Sequence, residues 1–337
     1  MDVLSDVIAV MRTGQPRAAR VAWRAPWAQE FAAVPGSAGF QIVVRGLCWL
    51  IRPGHEPVPL SVGDVVFLPH GGGVTLADSP ATRPVTPACD PNDPPRAVHD
   101  AASALRGAGE RAPASLQRFV SVGVDAPTTV TLCGAYQLDP ARAHPLLSSL
   151  PDLVHLPAHL GRHPELRATV DLLSSELDRP RLGTDAIVPA LLDTLLLHIL
   201  RTWLEQRPAA GAAGWAAALH DPATAAALHA IHRDPAGPWT VATLAAEAGL
   251  SRAPFARRFT ALVGQPPLTY LTWWRMTIAA GHLRASEVPL SAVASRVGYA
   301  SEFAFAAAFK RHHGAPPGRY RRAAAHDQGV PHVVRAT

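Results

Sequence analysis

Along the chain the hydrophobic period changes from two to helical. Between about residues 36 and 77 apolar positions come in short runs, FQIVV, CWLI and PLSVGDVVFLP, broken by turn-formers such as RPGHEP. That is the pattern of short antiparallel strands in a small barrel or sandwich. From residue 78 to about 113 the chain is proline-rich and polar, including DPNDPPR, with too little apolar content to pack as a unit. Strand character returns at RFVSVGV and TTVTLCGAYQL, so this stretch is expected as a flexible insertion within one β domain spanning residues 1–160. From His163 onward Leu166, Val170, Leu173 and Leu177 share one helical face. A second helix, about Thr184 to Gln206, carries Ile187, Leu191, Leu192, Leu195, Leu196, Ile199, Leu200, Trp203 and Leu204. A stripe that wide asks for burial on two sides, which predicts a helical segment over 161–210 packed on the β domain and on a second copy of the chain. An ordinary buried helix inside a monomer is the alternative.

Beyond the small-residue stretch PAAGAAGW the chain repeats itself. Ser251, Phe255, Phe259, Gly264, Pro266, Pro267 and Tyr270 recur fifty positions later as Ser301, Phe305, Phe309, Gly314, Pro316, Pro317 and Tyr320, and Ala245 and Gly249 recur as Ala294 and Gly298. Each copy has the parts of a helix-turn-helix: a first helix with a small residue at the crossing, a glycine at the turn, and a second helix with two phenylalanines one turn apart. Thr240 and Ser251 are expected to cap the first pair of helices. In the second copy Leu290 to Val297 and a helix capped by Ser301 are their counterparts. With the phenylalanines inward, Arg252, Ala253, Ala256 and Arg257 face outward in the first copy, and Glu302, Phe303, Ala306 and Ala307 in the second.

Residues 222–323, including the connecting PPLTYLTWWRMTIAAGHL and the closing FAFAAAFKRHHGAPPGRYRR, resemble the DNA-binding domain of AraC/XylS regulators. The resemblance implies two helix-turn-helix units joined by one long helix, about Leu268 to Arg284, reading two turns of the major groove. GFQIVVRGLCWLIRPGHEPVPLSVGDVVFLPHG and CGAYQLDPARAHPLLSSLPDLVHLP are similar to the cupin domain that precedes such units, implying a β-barrel effector or oligomerisation module. The fold class expected is therefore multidomain α+β: a cupin-like barrel, a helical dimerisation segment and an all-α double helix-turn-helix domain. Expected partners are double-stranded promoter DNA, a second copy of the chain, RNA polymerase and an unidentified small-molecule effector. Activation and repression are not distinguished.

Charge sharpens this picture. Residues 222–325 carry twelve Lys or Arg against four acids, a net of +8 in a chain whose total is +5. A basic third on a mildly acidic remainder fits a polyanion partner for that third alone. Arg257 and Arg252 on the first recognition helix have the donor fork that suits guanine. Thr240, Arg296, Lys310, Arg311, Arg321 and Arg322 are expected to contact phosphates. Ser251, Ala253 and Ala256 complete the first reading face, and Ser301, Glu302, Phe303, Ala306 and Ala307 form the second, where hydrogen-bond donors are scarce.

Candidate chemistry adds little. A cupin enzyme needs inward His and carboxylate ligands, and the strand FQIVV offers none, so no metal, no cofactor and no catalytic residue is expected. Cys48, Cys89 and Cys133 have no CxxC spacing. Two readings compete for them: redox sensing, and small apolar residues on strands, favoured for Cys48 and Cys133. The N-terminus, MDVLSDVIAVMRTG, lacks the basic and apolar regions of a signal peptide, and Pro189, Asp193, His198 and Arg201 interrupt the most apolar helix. A cytoplasmic protein without a membrane span is the expectation.

Overall fold

A computed structural model describes residues 2–11, 16–84, 117–118, 129–138, 144–158, 162–206 and 214–329. Its helices and strands run α1 (Val3–Met11), β1 (Arg17–Trp23), β2 (Ala28–Phe31), β3 (Ser37–Arg45), β4 (Cys48–Ile51), β5 (Val58–Leu60), β6 (Val65–Leu68), β7 (Val74–Ala77), β8 (Gln117–Arg118), β9 (Thr129–Gln137), α2 (Pro145–Ser148), β10 (Val154–Leu156), α3 (Pro164–Asp178) and α4 (Thr184–Glu205). All-helical structure follows: α5 (Gly214–His220), α6 (Pro222–Arg233), α7 (Val241–Glu247), α8 (Arg252–Val263), α9 (Pro267–Ala285), α10 (Leu290–Arg296), α11 (Glu302–His313) and α12 (Pro317–Gly329). These elements form two compact units, one of residues 11–207 and one of residues 1–10 with 208–337.

The first unit contains a six-stranded sheet in the order β10-β6-β3-β9-β1-β8 and a four-stranded sheet in the order β2-β7-β4-β5. β3 pairs antiparallel with both β6 and β9, and Phe40, Gln41, Ile42 and Val43 are buried in succession, which is why FQIVV does not alternate between apolar and polar. In that register Gln41 lies opposite Val66 and Cys133. Val43, Cys48, Leu50, Leu60, Val66, Leu68, Val74 and Leu76 pool into one core drawing on both sheets, closed by Trp27, whose ring stacks on Trp23 at 4.6 Å. Gly134 is required here: a Cβ would lie 2.4 Å from the Arg17 carbonyl oxygen and 2.5 Å from the Phe40 ring. The expected strands FQIVV, CWLI and TTVTLCGAYQL are present and the expected run PLSVGDVVFLP is split by a turn into β5 and β6, while most of the insertion, Cys89 and nearly all of RFVSVGV lie outside the described residues.

α3 and α4 pack on one another, and α4 also packs on β1 and β10. Tyr136 is fully buried and donates its hydroxyl hydrogen to the Leu192 carbonyl at 2.6 Å, fixing β9 to α4. The wide stripe of α4 turns out to be satisfied within one chain: Leu192, Leu195, Leu196, Ile199 and Leu200 are each at most 2% exposed. Its breadth therefore does not itself call for a second copy, because α3 covers one side and the sheet another. The apolar residues that stay exposed around this helix pair are Leu172, Leu182 and Ile187. α4 is long and apolar enough on composition to cross a bilayer, but its leucine face is spent on this packing.

The second unit differs from the expected boundaries at both ends. α5 lies in it and packs on α8, and α1 also lies in it. Residues 1–10 were expected with the β domain. Their placement has a clear cause: Val3, Val7 and Ile8 are buried, and the buried Asp6 carboxylate sits 3.1 Å from Nδ1 of His232 on α6. Nε2 of the same ring is 2.7 Å from the Tyr270 hydroxyl on α9. Burial holds His232 below the usual imidazole range despite Asp6, so the ring is neutral at pH 7. A neutral ring fits one arrangement: Nδ1–H donates to Asp6 and Nε2 accepts from Tyr270.

Candidate nucleic-acid interface

The repeat read from the sequence becomes two local skeletons with matching bonds, turns and ring spacings. In the first, Leu250 N–H donates to Ala245 C=O at 2.9 Å across the Gly249 turn. In the second, Tyr299 N–H donates to Ala294 C=O at the same 2.9 Å across Gly298. Both glycines take positive φ, +64° and +77°, which explains why glycine stands at each turn. Phe255 and Phe259 have ring centroids 5.6 Å apart, as do Phe305 and Phe309, and all four rings are buried. Each second helix ends on a left-handed glycine, Gly264 or Gly314, that stops it before the Pro-Pro start of the next.

Caps set where the reading helices begin. Thr240 and Thr243 form a reciprocal capping box at the start of α7, with Thr243 N–H donating to Thr240 Oγ1 at 3.1 Å. Ser301 accepts from Ala304 N–H at 3.4 Å at the start of α11. Ser251 occupies the corresponding position of α8 but makes no capping bond with its side chain. The expected helix over Leu290 to Val297 ends one residue earlier, at Arg296, and the connecting helix runs one residue further at each end than Leu268 to Arg284.

With the phenylalanines pinned inward, the outward residues are those the spacing implied. Arg252, Ala253 and Arg257 are exposed and Ala256 is half-buried. Among the described residues no carboxylate lies within ion-pair distance of Arg252 or Arg257, so their guanidinium donors remain uncommitted. Their neighbour Arg258 is committed: it pairs with Asp221, the residue that caps α6 by accepting from Thr224 N–H at 2.9 Å. Although desolvation opposes it, hydrogen bonds from Arg258 and Thr224 hold Asp221 below the usual carboxylate range. On α11 Glu302, Phe303 and Ala307 are exposed and Ala306 is half-buried. Phe303 is 85% exposed.

Among the residues expected at phosphates, Thr240, Arg296, Lys310, Arg311 and Arg322 are exposed. Arg321 is not: its side chain is 16% exposed, Nη2 donates to the Val288 carbonyl at 2.6 Å, and Nη1 lies 3.8 Å from Glu287. It is a brace between α12 and the turn before α10, and a phosphate role for it is withdrawn.

Sequence reasoning also missed Arg275, in the middle of α9. Its Nε and Nη2 donate to the carbonyls of Pro235 and Gly237, both at 2.7 Å, and its guanidinium lies 5.9 Å from the Tyr299 ring centroid. One side chain thus ties the loop before the first unit to the turn of the second. Its signal in the sequence was only an arginine beside the aromatic run of the helix.

In the other unit Cys48 is buried and its thiol is pushed up to about 12 by desolvation and by Asp64. Such a thiol stays protonated and unreactive. Cys133 is half-buried, its Sγ 3.7 Å from the Ala19 carbonyl. Among the described residues no group of three or more His, Cys, Asp or Glu could hold a metal ion.

Comparison with known proteins finds two domain families in the chain. A cupin family profile matches residues 2–205, and a helix-turn-helix domain profile matches residues 244–323. A Streptomyces lividans protein described as an AraC-like transcription regulator is 36% identical over 323 residues, covering 96% of this chain and 98% of that protein. A protein of Streptomyces antibioticus with the same description is 35% identical, covering 96% and 99%. Among solved structures, the DNA-binding domain of AdpA in complex with a target DNA is 33% identical and covers 33% of this chain and 99% of that one, with a TM-score of 0.31.

Proposed function

The chain belongs to the AraC-like transcription regulators, a cupin domain joined to a helix-turn-helix domain, and on that premise we propose that α8 and α11 are its two major-groove reading helices. The observation that carries this reading is the duplicated skeleton: two helices of equal build, each with one face packed by two phenylalanines and the opposite face exposed, its Arg252, Arg257 and Glu302 without ion-pair partners among the described residues. Arg257, with Arg252, reads bases in the first half of the site. Ser251, Ala253 and Ala256 allow close approach of that helix. Thr240, Arg296, Lys310, Arg311 and Arg322 hold the phosphates on either side. The protein does no covalent chemistry, and acts in the reducing cytoplasm where promoter DNA and RNA polymerase are found.

Its cupin domain serves as the effector module. Among the described residues the buried Gln41 Oε1 and Trp27 Nε1 have no hydrogen-bond partner, an unmet acceptor and an unmet donor that support a polar, uncharged effector. The homodimer forms through the exposed side of α3 and α4, where Leu172 and Ile187 stand out of an otherwise satisfied pair. Leu172→Arg with Ile187→Arg should halve the solution mass while leaving the fold intact. An unchanged mass in the dimer range would move the interface elsewhere.

Binding of the full-length chain to duplex DNA, followed by fluorescence anisotropy across a salt series, tests the central reading. About five phosphate contacts predict a log–log slope of about −4 to −5. A flat salt response, or equal affinity for all duplexes, would refute it.

A further inference from the structure

The reading face of α11 is chemically unlike that of α8. It begins with Glu302 and Phe303 and continues with Ala304, Ala306 and Ala307, so its first two turns present an exposed carboxylate, an aromatic ring and methyl groups. No amide or guanidinium is among them. Ser301 Oγ is already turned to the helix as its cap, accepting from Ala304 N–H. Phe303 is 85% exposed, whereas Phe305 and Phe309 on the same helix are fully buried. An apolar ring of that size on the reading face gains free energy when a partner covers it. The surroundings say what the partner is, since Arg296, Lys310, Arg311 and Arg322 are exposed around this helix and its neighbours, a field that attracts a polyanion and repels a basic surface.

Within a DNA major groove only two features match this face. The C5 methyl of thymine is the one apolar group displayed there, and of the two amine donors, cytosine N4 and adenine N6, only the cytosine amine has no ring-nitrogen acceptor beside it on its own base edge. Purine edges are led by N7 acceptors, which a carboxylate repels and a phenyl ring cannot satisfy. We propose that α11 reads a pyrimidine tract on one strand, with Phe303 covering a thymine methyl and Glu302 accepting from a cytosine N4 amine. Ala306 and Ala307 leave room for the ring to lie against the base edges. Glu302 has no cation within ion-pair distance among the described residues, so its carboxylate is available for this contact. The inference rests on the reading of α11 as a major-groove helix.

The experiment uses the full-length chain and a pool of random duplexes, from which its preferred sequence is selected. Deoxyuridine then replaces thymine, one position at a time, in the half of the site that is insensitive to Arg257→Ala. This removes a methyl and changes no hydrogen bond. Wild-type protein should lose about fourfold in affinity at a contacted thymine, the worth of one methyl buried. Phe303→Ala should bind thymine and uracil forms alike, and Phe303→Leu should restore part of the difference. Glu302→Gln should relax the selected preference for cytosine. Phe303 is exposed, so these variants keep the fold. Equal affinity of wild type for the thymine and uracil duplexes, with salt-dependent and Arg257-dependent binding retained, would overturn the proposal and leave the proposed function standing. In that case a protein partner covers Phe303. Loss of all salt-dependent binding would remove both.

Discussion

Two helix-turn-helix units built on one skeleton differ in what surrounds them. In the first, a Cβ on Gly249 would meet nothing within 4 Å, whereas in the second a Cβ on Gly298 would lie 2.6 Å from the Ala236 carbonyl oxygen and 2.8 Å from Arg275 Nη2. The turn of the second unit is therefore wedged against the loop that opens the first. The repeated tyrosines part in the same way: Tyr270 is fully buried and bonded to His232, while Tyr320 is half-buried and accepts from Arg284 Nη1 at 2.8 Å. One unit is secured by the N-terminal helix, the other by contact with its twin.

The comparison breaks most sharply at the two glycines. Gly298→Ala should cost about 3 kcal/mol or more, because it combines a positive φ with a backbone clash, and should lower the unfolding midpoint of the second unit. Gly249→Ala carries the positive-φ penalty alone, about 1–2 kcal/mol. Equal losses in thermal denaturation would mean that the wedge is not rigid.

Next in size is readout. Arg257→Ala should weaken the preferred site by about 1–3 kcal/mol and random DNA hardly at all. Lys310→Ala or Arg311→Ala should weaken both nearly equally and shrink the salt slope by about 1. If Arg257→Ala instead weakened all duplexes alike, the first unit would be positioning rather than reading, and the asymmetry between α8 and α11 would vanish.

A third test concerns the anchor of the first unit. Asp6→Ala leaves the buried His232 Nδ1–H without an acceptor, costing about 1–3 kcal/mol of stability in the unit that includes α5 to α12. Smaller still is the effect of pH. His232 faces Asp6 and Tyr270, with Asp2 and His229 nearby, and burial lowers its folded pKa beneath the ordinary 6.5. The unfolded chain thus binds the extra proton first. This contribution to stability is complete above pH 6.5 and is lost as pH falls below it through the folded value. His232→Gln should flatten that part of the stability profile, and an unchanged slope would show that another group titrates there.

Much of this was legible without coordinates because it is local. Phe255, Phe259, Phe305 and Phe309 could be assigned to a buried face from a spacing of four, and the matching Gly249 and Gly298 could be assigned to turns because only a residue without Cβ takes that backbone at little cost. The outward residues followed by elimination, and the structure agrees on Arg252, Arg257, Glu302 and Phe303. Arg321 failed for the opposite reason: exposure is a tertiary property, and nothing in RYRR tells the arginine bound to Val288 from those left in solvent. Most of the apolar stripe expected on α4 is buried, Ile187 excepted, but a stripe records only how much must be buried.

The sequence by itself determined the duplicated skeleton, the strands, the boundary between β and helical regions, and the chemical contrast between the two reading faces. Each of these depends on intervals of a few residues, or on the identity of side chains whose direction such intervals set. Only the tertiary structure decided that Asp6 meets His232, 226 positions away, that Arg275 bridges both units, and that α4 buries its leucines within one chain. Contacts at such separations depend on how finished elements pack, and periodicity along the chain carries no record of which neighbour covers a face.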